Sequence, residues 1–190
     1  MKKGFAVIIA AVMMIFFAGC NDTEKNEKNS KEIASYDYKY KIDVPLDWEI
    51  PEEKGSICGD ASLEAFCSRR NANLAVIIEE RGDDYIGFDN YCTLVARNLN
   101  SAYYTNISAD DFKDTEICGN KAKYVEIDNV SSPLGENHVA NVHMWYYLVI
   151  INGYYTQFIA STPESEAEKN SDEINMIINS FTTYKTKNIE

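Results

Sequence analysis

The alternation of apolar and polar residues along the chain predicts a domain rich in β-strands. Tyr36 to Val44 has an apolar residue at every second position, which is typical of a strand with one buried and one exposed face. Val139 to Ile151 is apolar at consecutive positions in its second half, as a strand covered on both faces requires. Further strands are predicted at 63–70, 74–81, 108–117, 121–129 and 154–161, with tight turns at Gly119-Asn120 and Asn152-Gly153.

Apolar residues at three- and four-residue spacing predict two helices. The first covers Asp89 to Leu99, with Asp84 or Asp89 as a candidate cap. The second opens at Thr162-Pro163-Glu164, where a cap candidate, a first-turn proline and an acid follow one another. Together with the strands, these helices predict an α+β fold built on an antiparallel sheet of six or seven strands, covered on both faces.

The first twenty residues predict an export signal. Lys2 and Lys3 precede an apolar run from Phe5 to Phe17, which as a helix is about 20 Å long and too short for a hydrocarbon core of ~30 Å. Ala18-Gly19 before Cys20 resembles the lipobox of bacterial lipoproteins, which implies cleavage before Cys20 and a lipid on its sulfur. The alternative is an ordinary secretory signal with an incidental cysteine.

The composition of the remaining residues predicts a tether, a folded domain and a short tail. Asn21 to Glu32 has no apolar residue, so residues 20–33 are predicted to be a disordered tether after the 1–19 signal peptide. The folded domain is expected at 34–183, and the tail 184–190 is expected to fray. The net charge is −12, or −14 once residues 1–19 with their two lysines are removed. Such an acidic chain is repelled by nucleic acid, so nucleic-acid binding is excluded.

Three ordered segments resemble PsbP-like and DcrB-like domains. Tyr40 to Trp48 (YKIDVPLDW) is similar to the opening of that family, and Gly119 to Ala122 (GNKA) to its turn and strand in the middle of the chain. Residues 154–163 followed by a helix that ends Ile177-Ile178-Asn179-Ser180-Phe181 are similar to its closing pattern. The resemblance implies a three-layer α/β/α sandwich around an antiparallel sheet, and a binding or assembly module.

Four further cysteines are candidates for disulfides, because an even set of cysteines can pair outside the cytoplasm. Cys58 with Cys67 is the favoured pair and Cys92 with Cys118 the remaining one. The alternative is that all four are reduced thiols, with Cys92 a core residue of its helix.

The sequence predicts no catalytic residue, no metal site and no cofactor. His138 and His143 are five residues apart on one predicted strand and point to opposite faces, so they cannot chelate one metal. His143 is expected to make a polar contact. The acidic groups around Asp84 and Asp111 lack the glycine and closing glutamate of a calcium-binding loop.

Tyrosine is unusually frequent, with 13 in the chain. Six tyrosines at predicted strand or helix ends form a candidate binding surface for a protein or a small ligand: Tyr36, Tyr38, Tyr103, Tyr104, Tyr154 and Tyr155. The alternative is that tyrosines fill the interface between sheet and helices.

These observations predict an extracytoplasmic lipoprotein, anchored in the cell membrane through Cys20, that acts as a non-catalytic binding or accessory module for an unidentified envelope protein or small ligand. Two alternatives stay open. One is an envelope hydrolase or thiol-dependent enzyme, and the other is a structural envelope protein.

Overall fold

The computed structural model describes residues 29–81, 86–130 and 141–183. They form an α+β domain, as the sequence predicts. In chain order the elements are β1 (Ser30–Ala34), β2 (Tyr40–Pro45), β3 (Leu63–Cys67), β4 (Ala72–Glu80), α1 (Phe88–Tyr103), β5 (Lys113–Ile117), β6 (Asn120–Val130), β7 (Val142–Ile151), β8 (Tyr154–Pro163), α2 (Ala167–Asn179) and β9 (Thr182–Thr183).

Two antiparallel sheets organise the fold. The larger has six strands in the order β3-β4-β8-β7-β6-β5, and the smaller has three in the order β1-β2-β9. β7 lies between β6 and β8 at the centre of the larger sheet and is buried at nearly every position. This confirms the prediction of a central strand covered on both faces.

Each face of the six-stranded sheet has its own core. On one face α1 contributes Tyr91, Cys92, Val95 and Leu99 to a cluster with Tyr146 and Leu148 of β7. On the other face α2 and the small sheet cover the strands, with Ile42, Trp48, Trp145, Phe158 and Ile177 in one cluster. The three layers are therefore α1, the large sheet, and a mixed layer of α2 with β1, β2 and β9.

The first strands differ from their prediction. Tyr36–Lys39 forms a turn, and the expected strand from Tyr36 starts only at Tyr40. β1 instead occupies residues expected in the disordered tether, because Ile33 is buried opposite Ile42 and the Glu32 carboxylate forms an ion pair with Lys41. The polar composition of 30–33 concealed this single apolar anchor, so the domain starts at β1 and not at residue 34.

The observed bounds of β5, α1 and α2 also differ from the predicted ones. Ala109–Asp111 is a short 3-10 helix, so only the second half of the predicted strand 108–117 is a strand. Thr162 and Pro163 end β8 and Glu164–Glu166 is another 3-10 turn, so α2 starts later than predicted. Gly87 precedes α1, Asp89 lies in its first turn without capping it, and Asp84 lies outside the described residues.

The predicted hairpins are present. Asn152 and Gly153 both have positive φ, 53° and 85°, and join β7 to β8. Cys118 and Gly119 do the same between β5 and β6, so that turn lies one residue before its predicted place. Paired positive φ values match the right-handed twist of adjacent strands, which explains both turns.

None of the helices in the described part of the chain has the length and apolar character needed to cross a bilayer.

Candidate functional site

The β1–β2 turn presents an exposed tyrosine at one end of the domain. Ser35 is buried, its hydroxyl accepts hydrogen bonds from the amides of Lys39 at 3.2 Å and Tyr40 at 3.0 Å, and it donates one to Asp37 at 2.7 Å. Tyr38 lies in the middle of this turn with a φ of 56° and 69% of its surface exposed. The turn therefore fixes the backbone of Tyr38 and leaves its ring unpacked.

Tyr154 lies close to the same turn. The β7–β8 turn contacts β9, because the side-chain amide of Asn152 donates to the Thr183 hydroxyl at 3.2 Å, and Thr183 pairs with Tyr40. Burial raises the pKa of Tyr40, and neighbouring Tyr154 raises it further. We call this part of the molecule, with Tyr38, Lys39, Asn152, Gly153 and Tyr154, the hairpin end.

Of the other four predicted surface tyrosines, Tyr155 and Tyr36 make contacts within the domain. Tyr155 is buried and stacks on Tyr91, with ring centroids 3.9 Å apart. Tyr36 donates to Glu64 at 2.7 Å, and burial first and this bond second raise the pKa of Tyr36 to about 12. Tyr103 and Tyr104 lie at the C-terminal end of α1, and Tyr104 is 94% exposed.

The strand periodicity explains the error for Tyr155. Neighbouring residues of a strand point to opposite faces, so Tyr154 and Tyr155 cannot share one surface. The prediction grouped them by sequence position alone. Tyr155 instead follows the alternative, in which tyrosines fill the interface between sheet and helix.

The predicted disulfides are not formed, and all four described cysteines are free thiols. Cys67 packs in the cluster under α2, whereas Cys58 lies near Tyr103 and Tyr146 on the α1 side. Cys92 is in the α1 cluster, whereas Cys118 packs against the other one. Each expected pair is therefore divided between the two faces of the sheet, which sequence spacing could not reveal.

Burial raises the pKa of three thiols and so favours their protonated form. It raises the pKa of Cys92 to about 11 and also raises the pKa of Cys58 and Cys118. The Cys118 thiol contacts the backbone oxygen of Phe181 at 3.2 Å. A nucleophilic cysteine needs the opposite shift, toward thiolate.

The end of the large sheet opposite the β7–β8 turn holds a cluster of charged residues around Arg70. Its guanidinium donates to Asp47 at 2.6 Å and to Glu173 of α2, and the Trp48 indole N–H donates to the same Glu173 at 2.9 Å. The hydrogen bond from Arg70 lowers the pKa of Asp47, while Glu173 first and Asp47 next raise the pKa of Arg70. This cluster ties the β2–β3 connection to α2.

A second polar group lies at the same end. The His143 ring is 2.6 Å from Asp128 through Nδ1 and 3.9 Å from Glu164. His143 pairs with Thr162, whose hydroxyl is 3.4 Å from the backbone oxygen of Arg70. The expected polar contact of His143 is confirmed, and His138 lies outside the described residues. We call this end, with both groups, the polar end.

A buried carboxylate fixes the loop before β3. Glu64 accepts the amides of Gly55 at 2.6 Å, Ile57 at 2.7 Å and Cys58 at 2.9 Å, besides the Tyr36 hydroxyl. Burial by itself would raise the pKa of Glu64, but these donors outweigh burial and lower it. Its role is structural, because every described partner belongs to the domain's own loop and turn.

Sequence analysis missed the groups around Arg70, Glu64 and His143. Their members come from distant parts of the chain, so no spacing pattern marks them. The one available signal was a polar or charged residue on an otherwise apolar strand, as at Glu64 and His143.

No protein-family model and no curated protein matches the sequence. Solved structures do. The chain is similar to cyanobacterial PsbP (CyanoP) from Synechocystis sp. PCC 6803, with 17% identity, a TM-score of 0.58, and coverage of 88% of this chain and 99% of that one. It is also similar to LpqN of Mycobacterium tuberculosis, described as involved in cell envelope biogenesis, at 14% identity, a TM-score of 0.53, and coverage of 82% and 91%.

A third similar structure is the Saccharomyces cerevisiae Ran-binding protein Mog1p, at 13% identity and a TM-score of 0.52, with 83% of this chain and 96% of that chain covered. At such identities the likeness shows the fold, which is PsbP-like. The similar proteins come from a cyanobacterium, a mycobacterium and a yeast, and a shared fold does not determine function, so function has to be argued from this chain's own surface.

Proposed function

We propose that this chain is an extracytoplasmic lipoprotein, anchored in the cell membrane through Cys20, whose hairpin end binds a partner in the envelope without catalysing a reaction. The observation that carries the proposal is the β1–β2 turn. Buried Ser35 holds the turn in one conformation, yet the Tyr38 ring at its tip packs against nothing that buries it. A tyrosine on a fixed backbone has only about two side-chain torsions to lose on binding, so its entropy cost is small, which favours a contact surface.

The direction of the first strand supports the same arrangement. Ser30, where β1 begins, pairs with Pro45, and the β1–β2 turn with Tyr38 lies at the opposite end of this hairpin. Only residues 21–29 separate Cys20 from β1, and the tether that their polar composition predicts would have an end-to-end distance of about 15–18 Å. A lipid on Cys20 would therefore hold the Pro45 end toward the bilayer and leave Tyr38 facing away from it.

The similar structures fit a binding or accessory role, since Mog1p is a Ran-binding protein and LpqN is involved in cell envelope biogenesis. The raised thiol pKa values weigh against the thiol-dependent alternative. A structural envelope role predicts altered envelope integrity on deletion, with no dependence on Tyr38.

Two measurements test the proposal. Mass spectrometry of the mature N-terminus is expected to find a peptide that starts at Cys20 with added lipid mass. A photo-crosslinking amino acid at position 38 is expected to give one discrete adduct in intact cells, whereas the same residue at position 104, a tyrosine that is even more exposed, gives none. An unmodified N-terminus would overturn the anchor, and equal crosslinking from both positions would overturn the binding surface.

A further inference from the structure

Three residues from three separate elements converge at the polar end. Asp128 comes from β6, His143 from β7, and Glu164 from the 3-10 turn after β8. One ligand atom from each lies within 4.8 Å of the other two. β6 and β8 flank β7 in the sheet, so the strand order itself brings these distant residues together.

The distances suit a small metal ion. Zinc bonds to imidazole nitrogen and carboxylate oxygen are about 2.0–2.2 Å long, so two ligands on one ion are roughly 3–4 Å apart. Nδ1 of His143 lies 2.6 Å from Asp128 Oδ1 and 3.9 Å from Glu164 Oε2, which brackets that separation. Both carboxylates are at least two-fifths exposed and can move by the few tenths of an ångström required.

Packing holds the His143 ring in place. Its side chain is 10% exposed, and its ring packs edge-to-face on Trp145 with centroids 4.3 Å apart. Nε2 is buried and has no hydrogen-bond partner within the described ranges. Among the described residues, the polar contacts of the ring are therefore at Nδ1, which points to the two carboxylates.

Charge favours a cation over any other ligand. Two carboxylates meet around a single imidazole in a chain of net charge −12. Imidazole prefers borderline transition ions, whereas Ca²⁺ takes six to eight oxygen ligands and Mg²⁺ near-ideal octahedral oxygen sites. One nitrogen and two carboxylates match neither of those two ions.

We propose that Asp128, His143 and Glu164 bind one divalent transition-metal ion of the Zn²⁺ class, with water completing its coordination. The ion replaces the proton between His143 and Asp128 and joins β6, β7 and the segment after β8. This inference does not depend on the membrane anchor or on the hairpin end.

Titration calorimetry of the full chain with ZnCl₂ tests it. We expect one ion per chain. Glu164→Gln and Asp128→Asn are expected to weaken Zn²⁺ binding at least about tenfold, as the loss of a ligand should exceed the effect of an outer-sphere change. Glu166→Gln and Asp114→Asn make the same charge changes at other exposed carboxylates and are expected to keep wild-type affinity.

Two further readouts keep the result unambiguous. Both key variants alter exposed side chains, so a far-ultraviolet circular dichroism spectrum like that of the wild type is expected and shows that they fold. Co²⁺ in place of Zn²⁺ is expected to lack thiolate charge-transfer absorption, which an ion held by the four free cysteines would show. The absence of Zn²⁺ binding, unchanged affinity in Glu164→Gln and Asp128→Asn, or a thiolate spectrum would each overturn the proposal.

Discussion

The hairpin end and the polar end of this domain differ in how their side chains are held. At the hairpin end the backbone is fixed by turns of positive φ and by the Ser35 hydroxyl, while Tyr38 stays exposed. At the polar end the buried or partly buried side chains are held by their partners, because Arg70 joins Asp47 to Glu173 and the His143 ring contacts Asp128. The first arrangement leaves an aromatic ring available for contact, and the second ties separate elements together.

This difference predicts that stability depends most on the polar end. Arg70→Ala leaves Asp47 and Glu173 without the guanidinium in a partly buried place, and we expect a loss of about 2–3 kcal/mol in the free energy of unfolding. Urea unfolding measures this. Arg69→Ala is the matched control, because Arg69 also pairs with Asp47 but is largely exposed, and a loss below about 0.5 kcal/mol is expected. Equal losses in the two variants would contradict the assigned role of Arg70.

The hairpin end is predicted to depend on backbone conformation. Gly153 has a φ of 85°, which an L-residue adopts only with strain, so Gly153→Ala is expected to lower stability by about 1 kcal/mol. Gly59→Ala is the control, since no atom lies within 4 Å of the added methyl and its φ is not in the left-handed region. Thermal unfolding of both variants checks this, and a stable Gly153→Ala protein would show that the turn relaxes freely.

The polar end is also predicted to be sensitive to acid. The hydrogen bond from Arg70 lowers the pKa of Asp47 below its ordinary 3.8. The resulting stabilisation is complete above the ordinary pKa and is lost as pH falls through the lowered one. Because Asp47 is about one-third exposed, we expect less than about 1 kcal/mol.

A double-mutant cycle isolates this effect. Stability of the wild type minus that of Asp47→Asn is expected to shrink between about pH 5 and pH 2. In the Arg70→Ala background the same difference is expected to stay nearly constant over that range. A pH-dependent difference of equal size in both backgrounds would show that Arg70 is not its cause.

The smallest effect on stability is predicted for the residue most important to binding. Tyr38→Ser removes an exposed ring, so we expect a change within about 0.5 kcal/mol together with loss of the envelope crosslink. Tyr104→Ser should change neither quantity. If Tyr38→Ser unfolds the protein, the ring has a packing role instead of a contact role.

Local patterns were sufficient for most of the fold. Consecutive apolar residues marked β7 as central, and Asn152-Gly153 marked its hairpin, because both signals depend on neighbours in the chain. β1 was missed since Ile33 is its one fully buried apolar residue. Pairing across the sheet needs the strand order, which explains why the disulfides were wrong and why Asp128, His143 and Glu164 were not grouped.

The orientation of the two ends relative to the membrane is the central claim, and lipid quenching measures it directly. A fluorescent amino acid is introduced into the full chain either at exposed position 49, next to the Pro45 end, or at position 38. Each labelled protein is then reconstituted in vesicles that carry a headgroup quencher. Strong quenching at position 49 and weak quenching at position 38 are predicted. Equal quenching at both positions, or stronger quenching at position 38, would contradict the account.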